Sequence, residues 1–218
     1  MLNTLLKKVL SVIVFGAILT TGSVSSAIQG EEDTILVEQA SSDAVGLIPQ
    51  AKTPQTQVAL EGEAKQLIGM FATQLKGELV AAIKAGGFDN AVEVCQSKAP
   101  QIANSLSIDG WTIRRTSLQV RNTDNSPNSW ESTILHQFDE RFSRGESIQT
   151  LSFSAIEDEQ FRMMKAIPVG NVCLACHGSS IDTSTSNKIN KLYPADKAID
   201  YSIGDLRGAF TVQKELSE

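Results

Sequence analysis

The sequence has little of several features on which common functions depend. It contains 19 basic residues against 25 acidic ones, two histidines, three cysteines and no extended basic stretch. An acidic chain without basic clusters is poorly suited to bind nucleic acid or an anionic membrane surface. After the first 27 residues, no apolar run approaches the ~20 residues that a membrane-spanning helix needs. These absences argue against a nucleic-acid-binding protein and against a membrane-spanning one.

The N-terminus has the layout of a secretory signal peptide. Lys7 and Lys8 precede the apolar run Val9–Leu19, and small residues follow up to Ala27. We therefore predict that residues 1–27 are removed, which changes the formal net charge from −6 to −8 because only two lysines are lost. The expected location is the periplasm, or the thylakoid lumen in a photosynthetic bacterium, with no membrane attachment after cleavage.

Beyond the predicted signal peptide, residues 28–57 mix acids, serine, glutamine and proline without a period, which indicates a flexible linker. The folded domain is predicted to span residues 58–218. A first helix is indicated by apolar residues at steps of three and four: Leu60, Ala64, Leu67, Phe71, Leu75 and Leu79. Gly86-Gly87 ends that pattern, and a second helix follows whose apolar face comprises Val92, Cys95, Ala99, Ile102 and Leu106. Pro100 predicts a kink in it.

The rest of the domain has mixed patterns. Residues 110–122 and the segments "IQTLSF", "FRMMKAIPV" and "RGAFTVQKEL" are rich in β-branched and aromatic residues and are predicted to be strands. Residues 129–142 are predicted to be a helix, and "GSSIDTSTSNK" a loop. Two helices followed by an antiparallel sheet with an inserted helix make an α+β domain.

The most informative segment is "NVCLACHGSS", which contains Cys173, Cys176 and His177. A structural zinc site is a weak interpretation, because Cys-x-x-Cys normally needs a second short-spaced pair of ligands, and only Cys95 and His136 remain. A redox-active dithiol is also weak, because no helical period follows the motif to activate a thiolate.

Cys-x-x-Cys-His is the signature of covalent c-type haem attachment. The two thiols add to the two vinyl groups of the porphyrin, and the adjacent histidine becomes the proximal iron ligand. Export and this motif support each other, because such attachment takes place outside the cytoplasm. We therefore predict one haem c bound through Cys173 and Cys176, with His177 on the iron.

The iron has a second axial position, which the composition does not assign. The candidates by chemistry are Cys95, His136, Met70, Met163 and Met164. Each has a simpler explanation, since a free cysteine is commonly a small buried hydrophobe and methionines commonly fill cores.

Four stretches make the chain similar to a known family: "VCQSKAP", "RRTSLQVRNTDNSPNSWE", "VCLACHG" and "YPADKAIDYSIGDLRGAFTV". Together they resemble the exported c-type haem domains with a PAS-like fold. The resemblance implies His177 as proximal ligand and Cys95 as the other axial ligand, with metal ligation by these two residues. Thr123 departs from the proline expected after Arg-Asn, which affects a turn only.

Other candidate site residues rest on weaker arguments. The two haem propionates require cations or amides, and Arg114, Arg115, Arg121 and Asn122 lie on one segment that could supply them. If that segment is a strand, Arg115 and Arg121 share one face and Arg114 points to the other. Tyr193 and Trp130 are candidates either for packing near the porphyrin or for filling the core, whereas Asp205 and Arg207 are interpreted as structural.

The expected function is electron transfer or redox or gas sensing by a low-potential haem, because a thiolate ligand favours ferric iron. The expected partners are a redox or signalling protein and small gas ligands such as CO or NO. A second copy of the chain is another expected partner, through the long N-terminal helix. The alternative is a peroxidase-like enzyme, which needs an open iron position and a distal acid–base group.

Overall fold

The computed structural model describes residues 54–216. The predicted signal peptide, residues 1–27, and residues 28–53 of the predicted linker lie outside this range. The first helix, α1, spans Pro54–Leu106 and so begins four residues before the predicted start at Val58.

Helix α1 consists of two helical segments joined at a glycine pair. Gly87 has φ 74° and ψ −165°, a left-handed conformation that favours glycine, and Gly86 also leaves the helical region. The predicted interruption is therefore present at these two residues. Inside α1, only Gly86 and Gly87 have non-helical backbone angles. The backbone angles at Pro100, where we predicted a kink, remain helical. The predicted apolar face of the second segment is also present, because four of its five residues are buried: Val92, Ala99, Ile102 and Leu106.

Four strands form one antiparallel sheet in the order β1-β4-β3-β2. The strands are β1 Trp111–Thr116, β2 Ser152–Glu157, β3 Gln160–Pro168 and β4 Leu206–Glu215. The helices after α1 are α2 Ser129–Ser143, the single turn α3 Leu174–His177, and α4 Thr183–Leu192. The predicted α+β class, with helix before an antiparallel sheet, is confirmed. No helix among residues 54–216 combines the length and apolarity needed to cross a bilayer.

Three of the predicted elements differ from the observed ones. Strand β1 ends at Thr116 and not at residue 122, because the chain turns back there and the Ser117 backbone N–H donates to the Asn125 carbonyl at 3.3 Å. Strand β2 is displaced toward the C-terminus from "IQTLSF". The predicted loop, residues 178–188, contains the first part of α4, a Ser- and Thr-rich helix that is capped by Asp182 and anchored by buried Ile189.

The sheet is covered on both faces. The α1 face packs Leu67 and Phe71 of the helix against strand residues that include Met163 and Val212. The α2 face packs Ile134, Leu135 and Phe138 of that helix against Met164 and other strand residues. Successive strand residues point to opposite faces, which is why Met163 and Met164 belong to different cores.

Candidate functional site

A cavity of about 310 Å³ lies where α1, the end of β1 and the start of β4 meet. This volume is within the range of small-molecule and cofactor sites. Its helical wall contains Lys76 and Cys95 but is otherwise apolar, and it comes from both segments of α1: Ala72, Leu75, Leu79, Ile83, Phe88, Ala91 and Val92. The remaining wall contains most of the polar residues that the sequence singled out.

Cys173, Cys176 and His177 all line this cavity. The chain forms a 3-10 turn over Asn171–Cys173 and continues directly into α3. Residues three apart on a helical turn are neighbours on one side, so the spacing of the two cysteines turns both toward the cavity. The expectation that no helix accompanies the motif is therefore wrong, although the helix has only four residues.

The His177 ring is held in one tautomer. Its Nδ1 lies 2.7 Å from the carbonyl oxygen of Ala198, and because a carbonyl only accepts, Nδ1 carries the proton. Burial, reinforced by the positive charges of Arg207 and Arg121, lowers the pKa of His177 to about 2, so the ring is neutral. The Nε2 lone pair is consequently available, as in metal-binding histidines whose other nitrogen donates to a backbone carbonyl.

A second ring contact supports His177 from behind. The Tyr201 ring packs edge-on against the imidazole with 6.3 Å between centroids, and the Tyr201 backbone N–H donates to the His177 carbonyl at 2.9 Å. The guanidinium carbon of Arg207 lies 5.3 Å from the centre of the Tyr201 ring. These contacts restrict how the imidazole can rotate.

Of the five residues considered for the second axial position, Cys95 alone lines the cavity. Met70 is exposed on α1, and Met163 and Met164 are buried in the cores on the two faces of the sheet. His136 lies on the exposed side of α2. Cys95 is half-buried on the apolar side of the second α1 segment, beside Val92 and the cavity.

The structure does not support the zinc alternative. Among residues 54–216, no three His, Cys, Asp or Glu side chains come close enough together to hold a metal ion. Burial raises the pKa of the Cys176 thiol to about 11, so this thiol is protonated at neutral pH.

The other predicted site residues, Arg115, Arg121, Asn122 and Tyr193, also line the cavity. The strand argument for Arg115 and Arg121 is wrong, however, because Arg121 follows the end of β1 and reaches the cavity from a loop. Asn122 uses its Oδ1 to accept the Asp124 backbone N–H at 3.1 Å. Burial raises the pKa of Tyr193 to about 12.

The guanidinium of Arg121 is already engaged by protein groups. Its Nε donates to Asp196 Oδ2 at 3.1 Å, and its Nη2 donates to the carbonyls of Cys176 and Ala198. Ala198 is also the residue that accepts from His177. Arg121 therefore ties the segment carrying the motif to the segment that orients the histidine.

Of the two interpretations of Trp130, core packing is the one observed, and the interpretation of Arg207 requires correction. Trp130 does not line the cavity and instead packs edge-on against Phe153, with ring centroids 6.0 Å apart. Arg207, which we interpreted as structural, lines the cavity next to Gly208. Gly208 has φ 149°, and a Cβ there would lie 2.3 Å from the Thr116 carbonyl oxygen, so a glycine lets β4 approach β1 at the cavity. In the sequence, the glycine that follows Arg207 was the feature that could have indicated a close approach of the two strands beside this arginine.

Comparisons with known proteins identify the family of the chain and a solved structure of similar fold. The model of the Tll0287-like family matches residues 31–214. Among solved structures, the chain is similar to one titled as the crystal structure of the cyanobacterial heme-protein Tll0287, with 24% identity and a TM-score of 0.54. That match covers 76% of this chain and 98% of the other. No similar curated protein was found. Because the family model covers most of the sequence, the chain belongs to the Tll0287-like family.

Proposed function

We propose that this protein is an exported c-type haem protein that acts in electron transfer or in redox or gas sensing. The observation that carries the proposal is the convergence of Cys173, Cys176 and His177 on one apolar-walled cavity, with Nε2 of the histidine unprotonated. The relative named in the solved structure is described as a haem protein, which is consistent with the proposal.

The residues of the cavity fit a covalently held haem. Cys173 and Cys176 would provide the two thioether links, and His177 would provide an imidazole nitrogen to the iron. Aliphatic and aromatic side chains of α1 would pack against the porphyrin and exclude water. When bound, the haem supplies a one-electron iron couple.

Cys95 is the residue that we propose as the second axial ligand. Its supporting observation is that it lines the cavity, whereas His136 and the three methionines considered do not. An anionic thiolate would stabilise the ferric state and lower the reduction potential relative to a His/Met site. The peroxidase-like alternative needs a distal acid–base group, for which His136 was the histidine available. His136 does not supply one at the cavity, because it lies on the exposed side of α2.

Two further features belong to the same proposal. A PAS-like arrangement is supported by the antiparallel sheet with a cavity enclosed between it and the helices. Export to the periplasm or thylakoid lumen is supported by the N-terminal sequence pattern, and it would bring the chain to a compartment where haem is attached. The partner would then be a redox or signalling protein of that compartment.

Haem attachment is tested by co-expressing the chain with a cytochrome c maturation system. We expect a haem-stained band on a denaturing gel at the size of the protein, because thioether bonds survive denaturation. The variant Cys173→Ala/Cys176→Ala is expected to lose the stain entirely, while the control Cys95→Ala keeps it. A colourless wild-type protein would refute the proposed function.

The second axial ligand is tested by electron paramagnetic resonance of the oxidised protein. We expect a low-spin His/thiolate spectrum that is lost in Cys95→Ala and kept in Met163→Leu, since Met163 lies in the core between α1 and the sheet. If Cys95→Ala leaves the spectrum unchanged, Cys95 is not a ligand, while haem attachment through the other two cysteines would still stand.

A further inference from the structure

Four arginines lie on or near the β1 segment and the start of β4, and they differ in whether a carboxylate compensates them. Arg114 forms an ion pair with Glu131, and Arg121 forms one with Asp196. Within residues 54–216, neither Arg115 nor Arg207 makes an ion pair with a carboxylate. Both of these uncompensated arginines line the cavity.

Each uncompensated guanidinium is nevertheless held in place. Arg115 lies over the Phe71 ring, with its guanidinium carbon 5.9 Å from the ring centre. Arg207 donates through Nη1 to Ser117 Oγ at 3.0 Å and to the Gln119 carbonyl at 3.1 Å, and its guanidinium lies over Tyr201. Aromatic faces and neutral acceptors orient these groups without cancelling their charge.

Placing two positive charges in one partly buried cavity is unfavourable unless an anion joins them. Burial lowers the pKa of Arg207, and the charges of Arg121 and Arg115 lower it further. In the part of the chain that the structure describes, the lining of the cavity contains no Asp or Glu, and Lys76 adds a further positive charge, so the wall offers no competing anion. A ligand that brings two carboxylates would relieve this repulsion and would gain charge-assisted hydrogen bonds.

We infer that Arg115 and Arg207 form a two-point site for two carboxylates of the cavity's ligand. The inference rests on the proposed function, in which those carboxylates are the two haem propionates. It also reassigns Arg121 from a propionate partner to a positioning residue, because its guanidinium is committed to Asp196 and to two backbone carbonyls. A separate small dicarboxylate is the other source of the same chemistry.

The test uses the haem-loaded protein and the resonance Raman bands of propionate bending, which respond to hydrogen bonds at those carboxylates. We expect Arg115→Gln and Arg207→Gln each to shift these bands. The matched control is Arg114→Gln, which removes an arginine adjacent to Arg115 that pairs with Glu131, and it should leave the bands unchanged.

The midpoint potential provides a second readout. Ferrous haem carries one positive charge fewer than ferric haem, so removal of a nearby cation should lower the potential. We expect a decrease in Arg115→Gln and in Arg207→Gln that exceeds the change in Arg114→Gln. If Arg207→Gln does not accumulate as folded protein, Arg207→Lys keeps the charge, loses the planar fork and should still shift the propionate bands.

The outcomes separate the two proposals. A colourless protein overturns both the haem function and this assignment. A haem-loaded protein whose propionate bands are the same in wild type, Arg115→Gln and Arg207→Gln overturns the assignment alone. If the bands are unchanged but added succinate alters the potential of wild type and not of Arg115→Gln, the site binds a free dicarboxylate and the propionate assignment is wrong.

Discussion

Two adjacent arginines of β1 lie on opposite faces of the sheet, and within the described residues only one of them is paired with a carboxylate. Arg114 and Arg115 are neighbours on β1 and therefore point to opposite faces. On the α2 face, Arg114 meets the fully buried carboxylate of Glu131. On the α1 face, Arg115 lines a cavity and, among residues 54–216, has no carboxylate partner.

This contrast separates stability from function. The α2 face is a closed apolar core around Phe138, and Arg114, the arginine that β1 contributes to this face, is compensated by Glu131. The α1 face is closed over only part of its length, and the side chains at its open part comprise a half-buried neutral histidine, cysteines and uncompensated cations. Such groups are costly to a fold on its own, so their concentration in one cavity indicates a ligand site.

The largest expected difference between the two faces is in the loss of free energy of unfolding when one phenylalanine is removed from each. Phe138 has no exposed surface, whereas Phe88 lines the cavity and is 37% exposed. We expect Phe138→Ala to lower the free energy of unfolding by about 4 kcal/mol, because it leaves a cavity in a closed core. Phe88→Ala should lower it by less than about 1 kcal/mol, because little packing is lost.

Urea denaturation followed by circular dichroism measures both values. Phe88→Ala should in addition change the absorption spectrum of the cofactor that we propose, which Phe138→Ala should not do as long as the protein is folded. Equal losses of stability in the two variants would contradict the division of the sheet into a closed and an open face.

Residues whose environment is set by nearby sequence were predictable. The heptad-like spacing of α1, the break at Gly86-Gly87 and the α+β class follow from local patterns, and all are present. Helix α4 was missed because serine and threonine have modest helix propensity. What stabilises it is the docking of Ile189 on Val92 from a distant part of the chain.

The charge state of the cavity was not predictable from the sequence. Whether an arginine is paired depends on partners far along the chain, and Asp196 lies 75 residues from Arg121. The motif itself identified Cys173, Cys176 and His177 as a group. By contrast, only a family resemblance favoured Cys95, and only the fold brings that residue and Arg207 to the same cavity.

A smaller effect is expected from neutralising the buried acid of the α2 face. In Glu131, Oε2 accepts from Arg114 and from the Asn128 backbone N–H, which completes the cap of α2. Glu131→Gln keeps an acceptor for the cap but removes the ion pair. We expect a loss of about 2 kcal/mol, below the cost of breaking a fully buried pair because the Arg114 side chain is 37% exposed.

A double-mutant cycle with Arg114→Gln isolates that ion pair in urea denaturation. Glu131→Gln should leave the cofactor spectrum unchanged, since Glu131 belongs to the opposite face of the sheet. If Glu131→Gln changes the cofactor spectrum as much as Arg115→Gln does, the two faces are electrostatically coupled. That result would contradict the separation of the α2 face from the cavity.

The smallest expected effect comes from an exposed ion pair between α4 and α1. Lys188 of α4 pairs with Glu93 of α1, and the Glu93 side chain is 56% exposed. Water screens such a pair, so Lys188→Ala should change the free energy of unfolding by less than about 1 kcal/mol, and less still at high salt.

A second contact between the same two helices is a hydrogen bond, in which the hydroxyl of buried Thr185 donates to Asp89 at 2.8 Å. Asp89→Ala leaves that hydroxyl without its acceptor and should cost about 1–3 kcal/mol. If urea denaturation gives Lys188→Ala the larger loss, then exposed charge, and not the buried hydrogen bond, attaches α4 to the segment carrying Cys95.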